Sequence, residues 1–266
     1  MSYKIKKALL AGSWYPGDKE DLRNLLKRLL ENVPESHLEE VKALISPHAG
    51  YMFSGEVAAY GYHCINKRDF NRVLLMAPSH RYPLAGTSVG NYTHFETPLG
   101  KVPVSEKAVE LKEECSVVTA LKDPHEEEHS LEMQLPFLQM VLNDFTLIPV
   151  IFGQLTQKQM KTLSAALLHY VDANTLTVIS TDLSHFHPYE EALSKDKASI
   201  DSILSMDVDN AASQEMCGIY PVLTSLLMAI DRRWSPHLLK YANSGDVTGD
   251  RGSVVGYASI AFQEAP

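Results

Sequence analysis

Three apolar runs in this chain end within a few residues of a histidine. Val41–Ile45 leads into Ser46-Pro47-His48-Ala49-Gly50, Val73–Met76 into Ala77-Pro78-Ser79-His80, and Leu176–Ile179 into Ser180-Thr181-Asp182-Leu183-Ser184-His185. Neutral imidazole binds transition metals, and imidazole moves protons near neutral pH. Three imidazoles delivered to one place therefore point to a metal centre or an acid–base site. His48 and His80 hold equivalent positions after their runs, and two imidazoles so placed can meet around one ion. Asp182 lies three residues before His185. A carboxylate there is expected to fix the tautomer of the ring and make His185 a general acid or base. Any one of these histidines could instead cap a helix or pin a loop; the repetition favours a site.

Four further features could contribute. The segment Asp123–Pro136 holds Glu126, Glu127 and Glu128, then His129 and Glu132. The three glutamates read as a solvated turn. Glu132 either orients the His129 ring or caps the helix that opens there. Cys217 precedes Gly218 and a helix expected from Pro221, and a helix amino terminus favours the thiolate that binds metal or attacks carbon; the alternative is a buried, inert thiol. Trp14 and Tyr15 sit in a loop before the first helix, as core plug or ligand wall. His187, followed by Pro188, reads as a surface residue.

The three runs have strand length and composition and are bounded by Pro, Gly or Ser. If they lie parallel in one sheet, their carboxyl ends share the edge where open α/β sheets bind ligands. Helical periodicity alternates with the strands, which is the α/β pattern. Helices are expected over Asp21–Leu30, Ser54–Ile65, Ser105–Cys115, Ser130–Leu142 with a kink at Pro136, Gln157–Tyr170, Tyr189–Met206 and Pro221–Ile230. Further strands are expected over Phe145–Phe152, which Pro149 would strain or place near an edge, and over Leu238–Asn243 and Val254–Phe262. No Pro/Ser linker divides the 266 residues, so a single domain is expected.

With 24 Lys and Arg against 33 Asp and Glu, the net charge of −9 argues against nucleic acid and anionic membrane as partners. No apolar run approaches the length of a membrane span. Met1–Leu10 lacks the apolar core of a signal peptide, and three scattered cysteines read as reduced thiols. A cytoplasmic location is the expectation.

Taken in order, Ala11-Gly12-Ser13-Trp14-Tyr15, Pro47-His48-Ala49-Gly50-Tyr51, Pro78-Ser79-His80, Glu128-His129-Ser130-Leu131-Glu132, Ser180-Thr181-Asp182-Leu183-Ser184-His185, Cys217-Gly218, Tyr241-Ala242-Asn243-Ser244-Gly245-Asp246 and Val255-Gly256-Tyr257-Ala258 resemble the Memo protein family, in its prokaryotic branch. Each motif is short; the ordered set spans nearly the whole chain, so residues 1–266 read as one Memo-like domain. The resemblance implies a fold similar to the non-haem iron extradiol dioxygenases of the protocatechuate 4,5-dioxygenase type: α/β, with a central mixed, mostly parallel sheet flanked by helices. It implies that His48 and His80 take the places of the two histidines that hold Fe(II) there, and that Cys217 stands third, where the dioxygenases have glutamate. It places His185 at the catalytic base, with Asp182 beside it. It further implies a metal cofactor, iron or copper first and zinc next, with redox activity. A small molecule or peptide would occupy the cleft, since the eukaryotic member has been described as binding phosphotyrosine peptides there. Thiolate is softer than carboxylate and tilts such a site toward Cu(I), Zn or tightly held iron, while three protein ligands leave a position open.

The expected function is thus a metal-binding protein with an open His48/His80/Cys217 site, redox-active or oxygenase-like. His185 and Asp182 would be its catalytic pair, with Trp14 and His129 lining the pocket. A non-catalytic module binding a peptide or small anion in the same cleft is the alternative. A hydrolase with Cys217 as nucleophile and His185 as base leaves His48 and His80 without a role.

Overall fold

A computed structural model describes residues 4–36, 38–65 and 69–264. The strands Val41–Ser46, Arg72–Pro78, Thr146–Phe152 and Thr175–Ser180 are almost wholly buried along their length. Near-continuous apolar strands of this kind need cover on both faces, as in α/β sheets. They pair parallel in the order 41–46, 175–180, 72–78, 146–152. Val254–Glu264 joins antiparallel to 41–46 and carries Trp234–Asn243 and His185–His187, both antiparallel to it. Thr87–Ser88 and Val118–Thr119 complete a nine-stranded mixed sheet with a parallel centre. A separate small sheet joins Ile5–Lys6, His94–Thr97 and Gly100–Pro103.

Side chains alternate across each strand, so the sheet divides the core in two. Ala43, Ile45, Leu74, Met76, Ile148 and Val150 face the helices Gln157–Leu168 and Ile219–Arg232. Val41, Leu44, Val73, Leu75, Leu147 and Ile151 face Lys19–Glu31, Tyr51–Cys64 and Leu135–Val141. The segment Ser130–Leu142 departs from the expected kinked helix. A 3-10 turn over Glu132–Gln134 gives way to a helix over Leu135–Val141, with Pro136 in its first turn. Pro lacks an amide hydrogen and fits a helix start rather than an interior. Pro149 pairs with Leu75 on one side. On the other side the strand is bonded near Leu147 and at Ile151–Phe152, so no ladder bond is lost at Pro149. Among the described residues no helix is long and apolar enough to cross a membrane.

The parallel register settles where the histidines go. Ser46 lies opposite Ser180, and Met76 opposite Ile179. His48 and His80 each follow their strand end by two residues, and His185 lies five beyond Ser180. All three lie beyond the carboxyl ends of the parallel strands.

Candidate metal centre

His48, His80 and His129 each offer one ring nitrogen within 4.8 Å of the others. Two nitrogens on one ion lie at most about 4.2 Å apart, so the group is close to ligand spacing. The His48 ring stands at 79° to His80 and at 90° to His129, whereas His80 and His129 stack at 25° with centroids 4.8 Å apart. Trp14 meets His129 edge-on at 4.9 Å.

Each ring has a partner behind it. His48 Nδ1 is 2.8 Å from Ser180 Oγ. His80 Nδ1 donates to Glu128 Oε1 at 2.9 Å, and that carboxylate also accepts the amides of His80, His129 and Ser130. Of the three consecutive glutamates only Glu128 is buried, while Glu126 and Glu127 are exposed. The solvated-turn expectation therefore fails for Glu128, because these donors hold its charge inside. They bring its pKa down to about 2 despite burial. Glu132 does not orient His129. It accepts the amides of Leu9 and Leu10 and the Tyr15 hydroxyl, clamping the loop that carries Trp14.

Cys217 lies behind His48, its Sγ 3.3 Å from Nε2. Gly218 makes that approach possible: a Cβ there would stand 2.6 Å from Thr181 Cβ and 2.8 Å from the Ser180 carbonyl oxygen. The Asp182 amide donates to Sγ at 3.2 Å. The helix over Ile219–Arg232 does begin just after Cys217, yet the thiol is pushed up to about 12, first by burial and next by the Asp182 charge. These outweigh the helix terminus, so without a metal the sulfur is protonated.

Asp182 does not hold the His185 ring either. Its carboxylate accepts the His48 amide at 2.8 Å and stands 4.0 Å from His48 Nε2. Burial raises its pKa to about 7. Burial holds the rings of His48, His129 and His185 below the usual imidazole range, His129 at about 4. They are neutral at pH 7, the form that binds metal. His187 is bridged by Glu191 and Glu215, away from this group.

The rings open into a cleft of ≈ 370 Å³ lined also by Trp14, Arg81, Asp182, His185, Phe186 and Tyr257. A larger groove of ≈ 950 Å³ lies at the other end of the sheet, around Asn71 and Thr146, but neither histidine nor cysteine lines it. Sequence reasoning placed His129 only in the pocket wall and overlooked Glu128 and Ser180. The adjacency of Glu128 to His129, and a serine at a strand end beside a histidine, were the available signals.

A family model described as "Memo-like protein" matches residues 6–261. The chain is similar to a MEMO1 family protein of Methanosarcina mazei, 36% identical over 98% of this chain and 100% of the relative. One from Nitrosopumilus maritimus is 34% identical over 97% and 99%. Another from Sulfurisphaera tokodaii is 30% identical over 97% and 99%.

Proposed function

The chain belongs to the Memo-like protein family, and from that premise we propose that its cleft is a transition-metal centre in one Memo-like domain. His48 and His80 would hold the ion, with the Cys217 thiolate as third donor. The observation that supports this is the His48 Nε2–Cys217 Sγ separation of 3.3 Å, with a His80 ring nitrogen within 4.8 Å of one of His48. Donors at about 2.0 and 2.3 Å from one ion span such a gap. His129 suits the role less well, although it belongs to the imidazole group. Its ring meets Trp14 edge-on at 4.9 Å and lies beside the Glu128 carboxylate, 3.3 Å from Nδ1. We assign His129 and Trp14 to the cleft wall.

The donor set fits a soft or borderline ion: Cu(I), iron or zinc. Such an ion supplies Lewis acidity and, for copper or iron, one-electron chemistry. His185 faces the cleft outside the ligand set and is positioned to move a proton to or from a small-molecule ligand. Asp182 keeps the His48 backbone in place. Three widely spaced cysteines suit a reducing compartment, the cytoplasm. A second reading, a binding module without turnover, is favoured by Trp14 and Phe186, 40% and 74% exposed at the cleft mouth.

Metal analysis of protein purified without chelator, followed by Zn²⁺ and Cu(I) titrations of wild type, His48→Ala, His80→Ala and Cys217→Ser, tests the proposal. One ion per chain is expected in wild type, with affinity reduced in all three variants. No ion and no affinity in wild type would end the metal reading and leave the binding module.

A further inference from the structure

A buried relay stands behind His48, and each of its hydrogen bonds has only one possible direction. Gln134, Ser180 and Ser130 are fully buried, and His48 is 2% exposed. The Gln134 amide nitrogen lies 3.0 Å from the Pro47 carbonyl oxygen, which can only accept, so the –NH₂ end of that amide must point there. The Tyr62 hydroxyl then donates to Oε1 at 2.7 Å, in keeping with that orientation. The second hydrogen of the –NH₂ then goes to Ser180 Oγ at 2.8 Å. Ser180 has one hydrogen of its own. The Ser130 carbonyl oxygen, 2.7 Å away, can only accept it. With that hydrogen committed and one lone pair filled by Gln134, Ser180 can only accept from its remaining partner, His48 Nδ1 at 2.8 Å.

We infer that Gln134 and Ser180 are positioning residues that hold His48 as its Nδ1–H tautomer and leave Nε2 with a free lone pair directed at Cys217. The opposite tautomer would need the Ser180 hydrogen on Nδ1, taking it from the buried Ser130 carbonyl. In water the Nε2–H form is the more populated, so the relay works against the intrinsic preference of the ring. With Nε2 bare, the ring can accept the Cys217 thiol hydrogen across 3.3 Å. The tautomer follows from the hydrogen bonds alone; its role in positioning a ligand rests on the metal-centre reading.

The test is nitrogen NMR of the metal-free protein labelled with ¹⁵N-histidine, in which two-bond ¹H–¹⁵N correlations distinguish the two tautomers. His48 is identified among the 11 histidines by comparison with His48→Gln. Wild type is expected to show His48 as Nδ1–H. Ser180→Ala should shift it to Nε2–H and weaken zinc binding about 10- to 100-fold, the usual effect of losing a partner behind a ligand. Ser180→Thr keeps the oxygen and should keep both properties. A wild-type His48 in the Nε2–H form overturns the inference, whether or not Ser180→Ala folds. So does a Ser180→Ala protein that is less stable but unchanged in tautomer and zinc affinity, since that is a purely structural role. An Nδ1–H signal in a protein without zinc affinity upholds the relay and rejects the metal centre, so the two failures are distinguishable.

Discussion

Replacing Glu128 by Gln is the most direct probe of how the centre is built. The carboxylate accepts four N–H donors, at 2.6 Å from the His80 amide, 2.9 Å from His80 Nδ1, 3.0 Å from the His129 amide and 2.9 Å from the Ser130 amide. Those donors lower its pKa from an ordinary 4.5 to about 2. Each tenfold preference for the ionised form is about 1.4 kcal/mol, so the folded state favours the carboxylate by about 3 kcal/mol over the unfolded chain. A lowered carboxyl pKa contributes its full stability above about pH 4.5, and the contribution fades as pH falls through about 2. Glu128→Gln turns an amide –NH₂ toward at least one of these N–H groups. At pH 7 the metal-free variant should melt roughly 6–12 °C below wild type, from about 2–4 °C per kcal/mol for a chain of this size. The gap should narrow by about half between pH 5 and pH 3, as the wild-type advantage is titrated away. Thermal melts by circular dichroism across that range read both effects. Melting within 1–2 °C of wild type at pH 7, or a gap that does not narrow in acid, would refute the charge-assisted network.

Cys217→Ser should cost far more affinity for Zn²⁺ or Cu(I) than for Mg²⁺. In wild type the ion must displace the thiol proton, so affinity should rise about tenfold per pH unit between pH 6 and 8, because the thiol is protonated up to about 12; the serine variant should lose this slope. Calorimetry in buffers of different ionisation enthalpy should read one proton released per ion, and a slope shared by both proteins would remove sulfur from the ligand set. His185→Gln should keep metal affinity and lower any turnover found in a substrate screen by about 10²- to 10⁴-fold; loss of metal with an intact fold would make His185 a ligand. Gly218→Ala places a Cβ 2.6–2.8 Å from Thr181 and the Ser180 carbonyl, so it should cost about 1–3 kcal/mol and weaken zinc binding by displacing Cys217. Unchanged melting and affinity would show that the close approach is unnecessary.

The strand runs before His48, His80 and His185 were legible because burial on both faces demands continuous apolar sequence, and only a few segments supply it. Their shared edge followed once the strands were taken as parallel. The helix over 130–142 misled because Pro136 suits a kink and a first turn equally well in sequence, and the preceding 3-10 turn has no composition of its own. Asp182 misled for a different reason. Spacing of three residues suggests a local pair, but this segment is a strand exit rather than a helix. Its carboxylate turns to the His48 amide, 134 positions away in the chain.

By itself, then, the sequence determined the α/β class, the edge at which three histidines emerge, and through its ordered motifs the family. Those depend on local periodicity and on residue types, which the chain carries explicitly. Tertiary structure alone decided which donors meet and in what state: Cys217 at 3.3 Å from His48, Glu128 beneath His80, His129 beside His80 with ring centroids 4.8 Å apart, and Ser180 on Nδ1. Ring angles and hydrogen-bond directions are set by rotamers packed against residues dozens to over a hundred positions away. Burial, which raises the pKa of both Cys217 and Asp182, is a property of the assembled fold and of no segment within it.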